Sequence, residues 1–146
     1  MRTKILPPAL PLSLLLLRVG ITIVMGFWTI DKIINPEHAG AVFKNFYGLG
    51  AVGDQAFLII GIVQGLVVLA FAAGLFKTIT YGAILAMHGI STLSSWRQYL
   101  DPFENLLFLA AWPMLAACLA LFLMRDYDRL LSITRTRKES AREYRK

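Results

Sequence analysis

The sequence contains a single cysteine, Cys118, among 146 residues. One thiol excludes an intramolecular disulfide framework, a Cys-x-x-Cys redox pair and a zinc site built from cysteines. Histidine is also scarce, with only His38 and His88 in the chain. Because His38 falls in a polar loop and His88 in an apolar stretch, we expect neither bis-histidine haem ligation nor a histidine–carboxylate metal site.

Charged residues are also few. They make up 16% of the chain, while 57% of its residues are apolar; soluble domains carry about 25% charged residues. Three stretches have no charge at all, with 22 residues after Asp54, 19 after Lys77 and 20 after Glu104. A helix of roughly 20 residues crosses a bilayer core of ~30 Å, so each stretch is long enough to span. These proportions disfavour a soluble enzyme and a folded nucleic-acid-binding module.

The apolar stretches predict an all-α polytopic membrane protein with an antiparallel bundle of four membrane-spanning helices. The spans are expected at about 12–30, 55–76, 78–96 and 102–124. Residues 1–124 then form one membrane domain. Arg18 interrupts the first stretch, which disfavours a secretory signal peptide because a charge would fall in its apolar region. Asp101 and Pro102 predict the start of the fourth helix, as its cap and its first residue.

A short amphipathic helix is predicted in the loop between the first two spans. Asn35 and Pro36 resemble a cap followed by the first helical position, and Gly48 can end the helix. Apolar residues between them recur on one helical face, namely Ala39, Val42, Phe43, Phe46 and Tyr47. At about 11 residues the helix is too short to cross a bilayer, so we expect it on the membrane surface or against the bundle.

The distribution of lysine and arginine predicts the orientation. With four spans, both ends of the chain share one side with Lys77; that side holds 11 basic residues, eight of them in the tail at 125–146. The other side holds three, Lys32, Lys44 and Arg97. Since basic residues favour the cytoplasmic side, we expect a multi-pass protein of the cell membrane with both termini in the cytoplasm. The basic tail is expected to contact anionic lipid headgroups, with docking of a partner as the alternative; nucleic-acid binding is not expected.

Arg18 is the first candidate site residue. An arginine at the centre of a membrane-spanning helix costs about 2.5–3.5 kcal/mol on insertion scales. Apart from Glu104, near the start of the fourth span, the predicted spans contain no acidic residue, so no acidic partner is expected at the depth of Arg18. Three roles remain open: the guanidinium reaches lipid phosphates by snorkelling, hydrogen bonds to polar groups within the bundle, or faces a ligand.

Polar residues form a stripe along the third predicted helix, at Tyr81, His88, Ser91 or Thr92, and Ser95. Gln64 lies at a similar depth in the second helix, between Gly61 and Gly65. Each has a structural interpretation, as a hydrogen bond between helices or a site of close packing. Each also has a functional one, as part of a pocket for a neutral carbonyl ligand such as a quinone. The candidate ligand-binding residues are Arg18, Gln64, His88, Ser91 and Ser95; no catalytic residue and no metal ligand is predicted.

The first two helices resemble those of the DoxX/DoxD-like family of small four-helix membrane proteins. The resemblance is carried by LLLLRVGITIVMGFWTIDKI, with Arg18, Gly20, Gly26 and Lys32 at matching positions, and by IIGIVQGLVVLAFAAGLFKT. It implies a small membrane subunit that supports a quinone-linked oxidoreductase partner and is not catalytic on its own. The family has a glutamate in the second helix where this chain has Gln64, so that titratable group is missing. The alternatives are a stand-alone carrier for a small neutral or anionic solute, which would use Arg18, Gln64 and His88 and could work as a homo-oligomer, and a purely structural membrane anchor.

Overall fold

The computed structural model describes residues 7–48 and 53–133, and the regular structure within these ranges is helical. The helices are α1 Leu10–Ile34, α2 Pro36–Tyr47, α3 Asp54–Ala72, α4 Lys77–Ser94, α5 Trp96–Tyr99 and α6 Ala111–Leu123. Two 3-10 turns, Leu106–Ala110 and Arg125–Tyr127, precede and follow α6. The predicted all-α class is confirmed for the described part of the chain.

Three helical segments in the described ranges are long and apolar enough to cross a membrane: Leu10–Ile34, Gln55–Ala72 and Leu106–Leu123. The last of these joins the 3-10 turn to α6. The third predicted span, 78–96, which corresponds to α4, is not among them. Its sequence contains polar residues such as Thr80, His88 and Thr92, which lower its mean hydropathy, and all three are buried against other helices.

The closest packing in the structure is between α1 and α3, which run in opposite directions. A Cβ atom added at Gly61 would lie 2.8 Å from Cγ1 of Ile33, and one added at Gly65 would lie 3.3 Å from Cγ2 of Thr29. Larger residues at these two positions would push the helices apart. Of the structural interpretations of this region, close packing is therefore observed at Gly61 and Gly65, whereas Gln64 makes no hydrogen bond between helices within the described residues.

The main core lies between α1, α3, α4 and α6. Its buried apolar side chains are Leu14, Ile21, Met25, Val68, Phe71, Tyr81, Ile84, Cys118 and Leu121. The thiol of Cys118 is thus an ordinary packing group. Gly82 and Gly89 of α4 let α6 approach, with Phe122 and Leu115 as their respective neighbours.

The amphipathic helix α2 occurs as predicted, starting at Pro36 and ending at Gly48, which has a left-handed φ of 70°. The amide of Asn35 does not cap it but donates to Oδ1 of Asp31 at 3.1 Å. The apolar face of α2 packs against α1 and α3, and the ring of Phe43 meets that of Phe57 edge-on with 5.0 Å between centroids.

Three predicted helix boundaries differ from the structure by four residues. α1 continues to Ile34 rather than ending at residue 30. α3 ends at Ala72 rather than at residue 76, because Gly74 and Phe76 both adopt left-handed φ angles, of 64° and 46°, that turn the chain into α4. The last apolar segment begins at Leu106 rather than at residue 102. Residues 101–104 form turns, and Asp101 accepts a hydrogen bond at its carbonyl from the side chain of Asn105 at 2.9 Å instead of capping a helix.

Candidate ligand-binding site

A cavity of about 970 Å³ lies between α1, α2, α3, α4 and α6. Most of its wall is apolar, including Leu16, Leu17 and Val24 of α1 and Met114 and Ala117 of α6. A smaller polar part is formed by Asp31, Lys32, His38, Gln64, His88, Ser91, Thr92 and Ser95. Small-molecule sites in proteins combine a mainly apolar wall of this size with a few placed polar groups.

The polar wall brings together four of the five candidate residues. Gln64 comes from α3, His88 and Ser91 come from one face of α4, and Ser95 is the residue that caps the end of α4. Gln64 and His88 are 8% and 2% exposed, and no hydrogen bond joins them within the described residues. These four side chains therefore line one space, without a direct hydrogen bond between Gln64 and His88.

Only one of the two ring nitrogens of His88 makes hydrogen bonds within the described residues. Its Nε2 lies 3.1 Å from the carbonyl oxygen of Ala111 and 3.4 Å from Oγ1 of Thr92. The indole of Trp28, which also lines the cavity, packs against the imidazole with 6.1 Å between ring centroids. The other ring nitrogen, Nδ1, is buried and has no hydrogen-bond partner in the described part of the chain.

One end of the cavity is formed by the C-terminal part of α1 and by α2. Nδ1 of His38 lies 2.7 Å from Oδ2 of Asp31, and these side chains are 65% and 33% exposed. The pair links α2 to α1, and Lys32 lies beside it on the cavity wall. Pairs this exposed contribute little to stability. Along α1, the cavity wall therefore extends from the apolar side chain of Leu16 to the charged side chains of Asp31 and Lys32.

Arg18, the fifth candidate residue, is not part of the cavity wall. Its side chain is 1% exposed and belongs to a buried polar cluster at the other end of the domain. Nη1 lies 3.3 Å from Oδ2 of Asp128 and 3.4 Å from the hydroxyl of Tyr81. Nη2 donates to the carbonyl oxygens of Leu130 and Leu131, at 2.5 and 3.0 Å. The snorkelling interpretation is therefore wrong, and so is the expectation that no acidic partner is available.

Asp128 is the acidic partner of Arg18, and the sequence pattern did not predict this role. Its side chain is fully buried, and Oδ2 accepts a hydrogen bond of 2.7 Å from the hydroxyl of Tyr81; Oδ1 has no partner among the described residues. Asp128 lies beyond the last apolar stretch, within a segment interpreted as a basic tail. The sequence did contain a signal for this pairing. Charged side chains are rarely fully buried unless they are paired, and Asp126 and Asp128 are the first acidic residues after the last apolar segment.

The segment 128–133 covers this end of the domain. The ammonium group of Lys77 donates to the carbonyl oxygen of Asp128 at 2.5 Å. The hydroxyl of Ser132 donates to the carbonyl of Gly74 at 3.3 Å, and the amide of Ile133 donates to the carbonyl of Ala73 at 3.0 Å. The first part of the predicted tail is therefore docked on the α3–α4 turn; residues 134–146 lie outside the described residues.

Comparison of the chain with protein-family models, with curated proteins and with solved structures gave no match. Within residues 7–48 and 53–133, no three His, Cys, Asp or Glu side chains cluster closely enough to hold a metal ion. The function is therefore inferred from the cavity and from the chemistry of its wall.

Proposed function

We propose that this chain is a small integral membrane subunit, DoxX-like in plan, that binds a quinone-type ligand in its cavity and supports an oxidoreductase partner. The observation that carries the proposal is the cavity of about 970 Å³ with Gln64, His88, Ser91 and Ser95 on one part of a mainly apolar wall. A quinone combines a polar ring with an apolar chain, and the cavity offers a surface for each. In this role the chain supplies a binding site rather than a catalytic centre of its own.

The proposal places α1, α3, α4 and the segment 106–123 in the cell membrane as an antiparallel bundle of four spans, with α2 in the first outer loop. The distribution of side chains on α4 supports its inclusion. Ile79, Ile90 and Leu93 are exposed by 72%, 57% and 64%, which leaves an apolar face available for lipid. The polar groups of α4 face inward, where other helices can hydrogen bond to them.

The orientation follows from the lysine and arginine distribution, with 11 basic residues on the side of the termini and three on the other. Reporter fusions after Lys77 and after Lys146 are expected to report the cytoplasm, and a fusion after Lys44 the exterior. A cytoplasmic signal from the Lys44 fusion would contradict both the orientation and the outer position of α2.

A matched pair of glycine variants tests ligand binding. Gly20 lines the cavity and Gly26 does not, and a Cβ atom at either position would meet no atom within 4 Å. Gly20→Phe is expected to fill part of the cavity and to abolish retention of quinone during purification, measured by solvent extraction and chromatography. Gly26→Phe is the control and is expected to retain as much quinone as the wild type. Equal quinone content in both variants, or none in the wild type, would contradict the proposal.

The partner is tested by purification in a mild detergent followed by intact-mass analysis. A co-purifying oxidoreductase supports the proposed role, whereas a homo-oligomer without quinone favours the carrier alternative. The carrier hypothesis assigned Arg18, Gln64 and His88 to one solute path. Arg18 is instead engaged by Asp128 outside the cavity, which favours the redox-subunit role.

A further inference from the structure

We propose that the cavity opens sideways into the bilayer, between α1 and the segment 106–123, and that its ligand enters from the lipid rather than from water. The inference rests on the proposed ligand-binding function and adds the route of entry. It restricts the ligands to molecules that dissolve among lipid chains. The opening is located by residues that line the cavity and are also exposed at the surface of the domain.

One rim of the opening lies along α1. Its four residues line the cavity and recur at every fourth position, which places them on one ridge of the helix: Leu16, Gly20, Val24 and Trp28. All four are exposed, Leu16 by 62% and Trp28 by 42%. Residues that border the cavity and also reach the outer surface mark a place where the cavity is open. From Leu16 to Trp28 this rim is about 18 Å long.

The facing rim lies on the segment 106–123. Its residues line the same cavity at intervals of three or four positions, which places them on one helical face: Leu107, Ala110, Met114 and Ala117. Leu107 and Ala110 are exposed, whereas Met114 and Ala117 are half-buried. Because α6 packs against α1, the two rims belong to neighbouring helices and border one opening between them.

Packed side chains close both ends of this opening. Leu14 of α1 and Cys118 and Leu121 of α6 are buried in one core, so the two helices pack closely near the start of α1. At the opposite end, the ring of Phe46 in α2 stacks on that of Phe108 with 5.8 Å between centroids. The stacked rings join α2 to the segment 106–123. The opening therefore faces sideways rather than along the helix axes.

The rims have the chemistry of a lipid-facing surface. None of the eight rim residues is charged, and both rims belong to segments that are apolar enough to cross a membrane. Apolar surface of this kind is favourable in lipid and unfavourable in water. The polar residues Gln64 and His88 line the cavity from α3 and α4 and are not part of either rim. A ligand that passes between the rims therefore meets apolar side chains before polar ones.

Lipid chains are expected to fill the cavity when no ligand is bound. Water is held poorly in a space with mainly apolar walls, whereas an acyl chain of a neighbouring lipid can pass between the rims. Met87 reports on this filling, because it lines the cavity from α4 and is half-buried. Ile84, one turn earlier on α4, is buried in the core and does not line the cavity. Hydrocarbon inside the cavity should therefore contact Met87 and not Ile84.

The test is photolabelling of the full chain in liposomes with two diazirine probes, followed by peptide mapping. One probe is a phosphatidylcholine with the diazirine in the middle of an acyl chain, and the other is a membrane-impermeant sulfonate present on both sides of the bilayer. We expect the lipid probe to label Met87 and not Ile84, and the sulfonate probe to label neither. Leu69, which is 68% exposed, should be labelled by the lipid probe in every variant.

Two double variants test whether the chains enter between these rims. Gly20→Phe/Val24→Phe places two rings on the rim of α1 and is expected to lower the labelling of Met87 by the lipid probe to background. Ile23→Phe/Gly26→Phe is the matched control, because Ile23 and Gly26 do not line the cavity, and it is expected to be labelled as the wild type is. A Cβ atom at Gly20 or Gly26 would meet no atom within 4 Å, so neither glycine substitution forces the helices apart.

Each outcome decides between the route of entry and the function on which it rests. Labelling of Met87 by the sulfonate probe, no labelling of Met87 by the lipid probe, or equal labelling in the two double variants would overturn the sideways opening, while quinone retention by the wild type would still support ligand binding. A wild type that is labelled at Met87 but retains no quinone would overturn the proposed function and leave the opening in place.

Discussion

Near Arg18, buried charged side chains are paired with one another and with backbone carbonyls, whereas the polar side chains around the cavity have donors and acceptors to spare. The guanidinium of Arg18 has four partners, from Tyr81, Asp128, Leu130 and Leu131. His88 has an unpaired Nδ1 in a wall that borders about 970 Å³ of open space. The cluster also keeps one buried atom without a partner among the described residues, Oδ1 of Asp128, but its charges are paired and it does not border the cavity. Because paired buried charges hold a structure together and polar groups that line an open space are available to a ligand, the two regions are assigned different roles.

The largest effect is expected from Asp128→Ala, which removes the only acidic partner that the described residues give to Arg18. An uncompensated buried charge is expected to lower the free energy of unfolding by about 3–5 kcal/mol. Thermal unfolding in detergent measures the loss. Asp126→Ala is the matched control, since Asp126 is exposed and forms no ion pair with another described residue. Equal stability of the two variants would remove the structural role assigned to the cluster.

A smaller loss, about 2 kcal/mol, is expected from Arg18→Lys. Lysine keeps the charge, but its single ammonium group cannot reproduce the planar fork that reaches Asp128 and two backbone carbonyls. Arg97→Lys, at an exposed position, is expected to be neutral. Wild-type stability of Arg18→Lys would show that only the charge matters at this position.

Tyr81→Phe is expected to cost about 1 kcal/mol, because it removes one hydrogen bond to a carboxylate that keeps its arginine partner. The hydroxyl donates to Asp128 at 2.7 Å, and the rest of the ring is packed against Phe71 with 4.7 Å between centroids. Tyr127→Phe serves as control, since that ring is 41% exposed. Identical unfolding curves for both variants would mean that the Tyr81 hydroxyl adds nothing to the cluster.

The smallest effect on stability is expected in the cavity region, from Gln64→Leu. Its carboxamide makes no hydrogen bond to the described part of the chain, so replacing it with an apolar group of similar size changes the free energy of unfolding by less than about 0.5 kcal/mol. Quinone retention should nevertheless fall. A loss of stability comparable to that of Asp128→Ala would abolish the contrast between the two regions.

Patterns that depend on one helix or on neighbouring helices were predictable from the sequence. The inward stripe on α4 follows from helical spacing, and the close approach of α1 and α3 follows from Gly61 and Gly65. Pro36 and Gly48 marked both ends of α2 because proline suits the first turn and glycine tolerates the left-handed cap.

Features that depend on contacts between distant parts of the chain were not predictable. Arg18 and Asp128 are separated by nearly the whole domain, and hydropathy places Asp128 in a polar tail rather than in a buried cluster. The Asp101–Pro102 pair has the composition of a helix start, but the carbonyl of Asp101 is used by Asn105 in a turn. Local sequence propensity carries no information on whether Asp128 is buried or on whether Asp101 caps a helix or forms a turn.

Photolabelling with an azidoquinone, followed by peptide mapping, tests the central claim that the cavity holds the ligand. If the cavity holds the ligand, illumination of the full chain in detergent is expected to label side chains of the cavity wall, including Trp28, Gln64 and His88. Excess decylubiquinol is expected to suppress this labelling. Labelling confined to exposed apolar side chains such as Leu66 and Ile79, which are 64% and 72% exposed, with no competition by decylubiquinol, would contradict it.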